Sequence, residues 1–236
     1  MSEECPDLTF FGRNLLKTIN VAKDKFHDCP WPHFDGVPDA YPDRILVCDF
    51  SITHVMNSGI SMQDAWAAIE KSNIKDDKGG DASDLLKLIP SDLRLEETSE
   101  SYEKINWEVI DRLFRHLRIK NVGFSRIAKM LSRKRPFLIP MLDSWIYEFL
   151  DGIGKEWYLG RGNPPTWFNA EWLAWEIGKA SPYIRMIRHD MIPQKEKLER
   201  LRKCLNSDAL TEVPLEASLL RIYEATLWQA LIKGLI

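Results

Sequence analysis

The segment Ile119 to Leu150, IKNVGFSRIAKMLSRKRPFLIPMLDSWIYEFL, carries the narrowest local constraints in the chain. It opens on Ile119-Lys120-Asn121-Val122-Gly123, an apolar residue followed by a tight turn at Asn121 and Gly123, the two residue types that best tolerate positive φ. Phe124, Ile127, Ala128 and Leu131 then fall at helical spacing on one face, so the turn reads as a hairpin between two helices. A basic run, Arg133-Lys134-Arg135, precedes Pro136 and Pro140, which forbid helix continuation and predict an extended connector. Asp143 then opens the next helix, Ser144 to Leu150, as its N-cap.

Working outward, 236 residues are within range of one domain able to bury about 70% of its unfolded surface. The composition, 44% apolar and 28% charged, is that of a soluble globular protein. A net charge of −3 excludes a globally basic nucleic-acid binder, so any DNA contact must rest on a local patch. No apolar run is long enough to span a bilayer and the N-terminus lacks a signal-peptide profile. Cys5, Cys29, Cys48 and Cys204 form no CxxC pair and read as reduced thiols of a cytoplasmic protein. His27, Cys29 and His33 match no standard zinc spacing, so that proline-rich segment reads as structural loop, and neither metal nor cofactor is implied.

Apolar periodicity predicts helices at Leu8 to Phe26 with Asp7 as cap and from Ser61 through Lys71, where Ser61 and Asp64 approximate a capping box burying Ala65, Trp66 and Ile69; Ile45 to Met56 is open between a strand, which its β-branched residues favour, and a short helix capped by Asp49, which is the preferred reading. Further helices are expected at Ser83 to Leu88, Tyr102 to Leu117, Asn169 to Lys179, Pro182 to His189, Pro193 to Leu205 and Pro214 to Lys233, the last ended by Gly234. Residues 72–82 read as a loop tip open to nicking, and 151–167, with four glycines and two prolines, as loop. The fold class is all-α, one domain over 1–236, with a helix-hairpin-helix segment and Asp-capped helix at 105–150. Among the nine tryptophans, Trp107, Trp145, Trp172, Trp175 and Trp228 read as core, and Trp31, Trp157 and Trp167 as loop residues suited to a ligand surface.

The hairpin followed by a proline-flanked aspartate resembles the helix-hairpin-helix DNA glycosylase superfamily. Ile119, Asn121, Val122 and Gly123 match its hairpin positions, and Pro140 with Asp143 its proline and catalytic aspartate, here separated by two residues where the family usually has one. Ser125 stands where glycosylases that also cut the backbone carry a lysine, so the resemblance implies a monofunctional enzyme without a Schiff-base step. It also implies a two-lobed helical fold. Lys134-Arg135-Pro136 through Asp143-Ser144, with Leu220-Arg221 through Trp228, is in addition similar to an uncharacterised bacterial family with no known activity.

In such a hairpin the turn amides and the following helix N-terminus point outward together and form an anion site for a DNA phosphate. The expected DNA contacts are Lys120, Asn121, Gly123, Ser125, Arg126, Lys129, Arg133, Lys134 and Arg135, which position the backbone without reading sequence. Asp143 is the candidate catalytic carboxylate, stabilising charge on the sugar of a flipped nucleotide or activating water. It serves equally as a simple helix cap, worth ~1 kcal/mol. Three roles therefore stand open: a glycosylase-like enzyme, a DNA-binding protein whose activity is lost, and a non-catalytic helical module for a protein partner.

Overall fold

The computed structural model describes residues 5–28, 39–53, 59–97, 104–162, 164–168, 179–207 and 217–236. The fold is helical, as the periodicity requires: α1 (Thr18–Asp28), α2 (Val47–Thr53), α3 (Met62–Ser72), α4 (Ala82–Lys87), α5 (Trp107–Leu117), α6 (Phe124–Lys134), α7 (Ser144–Tyr158), α8 (Ser181–Met191), a 3-10 turn (Ile192–Gln194), α9 (Lys195–Asn206) and α10 (Leu219–Ile232). Local sequence sets many of the ends. Ser61 caps α3 by accepting from Asp64 N at 3.0 Å, and Gly234, at φ 61°, closes α10 as Leu235 N donates to Ala230 O at 2.9 Å. Helix α8 has no side-chain cap from its own strand of sequence. Asp111 of α5 supplies one, accepting from Ala180 N and Ser181 N at 2.8 Å and from Ser181 Oγ at 2.7 Å.

Helix contacts fall into two groups. In one, α10 packs on α1, α7 and α9; in the other, α5 packs on α3, α4 and α6, and α2 on α3 and α6. Helix α8 touches both α5 and α7, and one apolar cluster runs through both groups, from Leu8 and Phe10 to Ile110, Leu131, Ile184 and Leu227.

The expected helix over Leu8 to Phe26 is corrected. An antiparallel hairpin, β1 (Leu8–Phe10) and β2 (Arg13–Leu15), comes first, and α1 begins only at Thr18. Phe11 (φ 49°) and Gly12 (φ 82°) make the two-residue turn, which no right-handed helix accommodates. Tertiary burial overrides the helical spacing: Leu8, Phe10 and Leu15 point into the core, with the Phe10 ring 5.1 Å from Tyr223. The outer edge of β1 is closed by side chains. Thr9 N donates to Gln194 Oε1 at 3.0 Å, Gln194 Nε2 donates to Thr9 O at 2.6 Å, and Phe11 N donates to Asp190 Oδ1 at 2.8 Å. Asp7 caps α1 instead, accepting from Thr18 N at 3.1 Å.

Other expectations shift for identifiable reasons. Helix α7 continues to Tyr158 through Gly152 and Gly154, because Ile146, Leu150, Ile153 and Trp157 form one buried stripe that outweighs the glycines. Helix α5 starts at Trp107, not Tyr102, which lies outside the described residues, as do all but the last residue of the helix expected over Asn169 to Lys179 and the Cys29 to His33 segment. The 72–82 loop is anchored: Asp76 accepts from Lys78 N and Gly80 N at 3.0 Å, and its carboxylate pairs with Arg112 at 2.7 Å. Trp66 and Trp145 are exposed, at 54% and 52%, while Trp157 is buried. Cys5 and Cys204 form a disulfide, correcting the reading of these two as reduced thiols; Cys48 is free and exposed.

The largest correction concerns Arg133-Lys134-Arg135, whose residues are 9%, 1% and 1% exposed. The Lys134 ammonium lies 2.8 Å from Asp49 and 3.1 Å from Asp39, and it donates to Tyr41 O at 3.1 Å. Arg133 lies 3.5 Å from Asp49. The Arg135 guanidinium donates to Ile89 O at 2.5 Å, to Pro42 O at 2.9 Å, to Asp43 at 2.7 Å and to Leu86 O. The connector that follows is extended only in its second half. Its first half is a turn in which Leu138 N and Ile139 N both donate to Arg135 O, at 3.1 and 2.9 Å.

Two outcomes follow from this packing. Removing a buried ion partner strands the other charge, so Lys134→Met is expected to lower unfolding free energy by roughly 3 kcal/mol or more, measured by urea denaturation. Asp190, which also accepts from Tyr223 OH at 2.6 Å, has its carboxyl pushed up to about 6 from 3.8 by burial, against the opposing bonds from Tyr223 and Phe11 N. Its folded form thus holds the proton more tightly than the unfolded chain, so the contribution of this group to stability is fully present below pH ~4, is lost as pH rises through about 6, and is flat above. In Asp190→Asn, which keeps an acceptor for Phe11 N, that fall in thermal midpoint between pH 4 and 7 should shrink.

Candidate nucleic-acid interface

Helix α5 leaves through Arg118 in extended backbone, and Ile119 and Val122 then face each other as an isolated antiparallel bridge, with Val122 N donating to Ile119 O at 3.1 Å. Asn121 takes φ 67°, as its residue type allows, and Val122, fully buried, pins the turn to the core. Gly123 differs from expectation. Its φ of −83° and ψ of −179° are extended backbone open to any residue, and a Cβ built there meets nothing within 4 Å. The packing therefore supplies no reason for glycine at this position. Gly123 is the N-cap of α6 and makes no side-chain cap bond, so the first-turn amides of α6 face an exposed, uncovered residue.

Neighbouring side chains hold the turn in place. Arg126 donates to Asn121 O, and Asn121 Nδ2 donates to Asp64 Oδ1 at 3.2 Å, tying the hairpin to α3. The Asp64 carboxyl is held below its usual range by the Ser61 hydroxyl first, then by Asn121 and the charges of Arg126 and Lys120. Phe124, the first residue of α6, is fixed by rings from three helices: Phe114 at 5.1 Å, Tyr147 at 5.6 Å and Tyr183 at 5.6 Å. The Phe124 to Tyr147 contact joins the start of α6 to the first turns of α7, where Asp143 lies.

Asp143 caps α7 as the sequence predicts, accepting from Ile146 N at 3.1 Å with extended backbone. Its second oxygen accepts from the Trp228 indole N–H, and the Lys25 ammonium lies 3.1 Å from the centre of that indole. Burial pushes the Asp143 carboxyl above its ordinary range, opposed by Ile146 N, the Lys129 charge, Trp228 and Lys25. Both carboxylate oxygens thus already accept a bond from the protein itself. The connector before it is held from α10, where Met141 N donates to Glu224 Oε2 at 2.7 Å and Glu224, wholly buried, pairs with Arg221.

Of the expected contact residues, Lys120, Asn121 and Gly123 are exposed, and Ser125, Arg126 and Lys129 are half-buried along α6. Arg133, Lys134 and Arg135 are removed from that set, because their cationic groups face inward onto carboxylates and carbonyls. Sequence reasoning missed these partners, Asp39, Asp43 and Asp49. Their one signal was three acids at short intervals at and just after the end of the proline-rich segment. Among the described residues no group of His, Cys, Asp or Glu is arranged to hold a metal ion, and no helix is long and apolar enough to cross a membrane.

No curated protein and no solved structure matches the chain. Residues 22–231 match a family of unknown function, DUF6308, from within α1 almost to the end of α10. That span takes in the hairpin, the buried basic run, the connector, Asp143 and Trp228, and the chain belongs to this family.

Proposed function

We propose that the chain is a helix-hairpin-helix DNA-binding protein that grips the phosphate backbone through the 118–123 turn and the first turn of α6. The observation that carries this reading is Gly123, exposed and uncapped although its backbone and surroundings would admit any side chain. A bare N-cap leaves the α6 amides free, and a phosphate can approach as closely as the backbone allows. Lys120 and Asn121 precede that point and Ser125 follows it, while Arg126 acts on the turn itself and Lys129 lies further along α6. Asp64 stands at the shoulder of the turn, where its charge is engaged by Asn121, Arg126 and Lys120.

Binding of a fluorescent duplex of arbitrary sequence should weaken steeply with added salt. Gly123→Asp makes the sharpest test, because Asp is a better N-cap than Gly but sets a negative charge on the phosphate position. The variant should melt at the same or a higher temperature and lose most of its DNA affinity; unchanged affinity would remove the hairpin from the interface.

A second reading, a monofunctional base-excision glycosylase, is favoured by one feature: a half-buried carboxyl with raised proton affinity at a helix N-terminus, two residues before the exposed Trp145. Asn caps a helix as well as Asp does, so Asp143→Asn should keep the fold. On duplexes carrying alkylated, deaminated or oxidised bases, alkali-revealed strand breaks that this variant abolishes would establish catalysis. Breaks from neither protein would leave Asp143 as a cap held by Trp228.

A further inference from the structure

We infer that the phosphate-gripping surface extends backward from the hairpin along the end of α5, through Arg115, Arg118 and Lys120, and that these side chains contact successive phosphates of the same DNA duplex. The inference rests on the DNA-binding reading above and adds Arg115 and Arg118, which sequence inspection did not assign, to Lys120, which it did. Between Arg115 and Lys120 burial and charge separate cleanly. His116 and Leu117 are buried and Ile119 is half-buried, while the three cations are exposed. Burial lowers the proton affinity of His116.

Among the described residues none of the three cations makes an ion pair or a side-chain hydrogen bond, in contrast to the inward-facing run at 133–135. The acids whose charge reaches this face are already engaged elsewhere. Glu108 is bound by Lys78, and Asp64 by Ser61 and Asn121. A helix C-terminus attracts cations by its own dipole, which accounts for Arg115, but Arg118 is the C-cap and Lys120 lies beyond the helix. In a chain of net charge −3, three exposed cations leading into an uncapped helix N-terminus form a positive track whose complement is a polyanion with evenly spaced charges.

The test measures duplex affinity by fluorescence anisotropy over a range of potassium chloride for the full chain, Arg115→Gln/Arg118→Gln, and Lys197→Gln/Lys203→Gln. The last pair removes equal charge from α9, which packs on α1 and α10. The plot of log affinity against log salt should be shallower for Arg115→Gln/Arg118→Gln by roughly 0.9 per lost phosphate contact, about 2 in all, with no change for the α9 pair. Equal slopes for all three proteins, with Gly123→Asp still weakening binding, would overturn the extension and leave the hairpin reading intact. An equal loss from both double variants would reduce the effect to net charge and overturn it too. Absence of salt-dependent binding by the unaltered chain would remove the hairpin reading and this inference with it.

Discussion

The structure depends on a buried cation. Arg135 ends α6 with its guanidinium enclosed, and each N–H that reaches a carbonyl of the 86–89 region or of Pro42, or the Asp43 carboxylate, ties a separate stretch of chain to one point. Lys134 does the same one residue earlier through Asp49, Asp39 and Tyr41. Two adjacent buried charges are tolerable only because partners surround them, since an unpaired charge in such a setting is severely destabilising. Apolar side chains of similar volume would fill the space, but they would not specify the direction in which the chain must leave α6.

That direction sets everything downstream. The turn around Arg135 O, the two prolines and the bond from Met141 N to Glu224 deliver Asp143 to α7 in the extended backbone that an N-cap needs. Trp228 then holds the carboxylate from α10, four residues beyond Glu224 on the same helix face. The two stretches that carried the similarity to an uncharacterised bacterial family, 134–144 and 220–228, are thus halves of one interior network. Their residue types follow from this bracing whether or not Asp143 also does chemistry.

What was legible in the sequence was mostly local. Asn121 at positive φ, Asp143 and Ser61 as caps, Gly234 as a stop and the helical class all depend on residues within a few positions of one another. What was not legible depended on partners far away along the chain. The apolar residues from Leu8 to Phe26 have helical spacing, but the segment meets Gln194 and Asp190, which close the edge of a strand. Glycines 152 and 154 suggest a loop until the stripe from Ile146 to Trp157 is seen to have a core to face. A run of three cations looks identical in sequence whether water or carboxylates surround it. Of the site, the hairpin and the cap could be read, whereas the sorting of cations into inward and outward sets could not.

The cap that Asp111 provides to α8 bears on the order in which the chain assembles. A helix nucleates at a cost, and a local N-cap offsets part of it before any tertiary contact exists. Helix α8 lacks that help, because its first amides are satisfied by a carboxylate 69 to 70 residues upstream. It therefore gains its full hydrogen bonding only once α5 is formed and docked, and it cannot serve as an early, autonomous nucleus. Helices α3, α5 and α10, each capped by a residue of its own, are under no such constraint. Since α8 packs on both α5 and α7, one of the contacts that join the two packing groups depends on a helix whose own first turn is completed from α5.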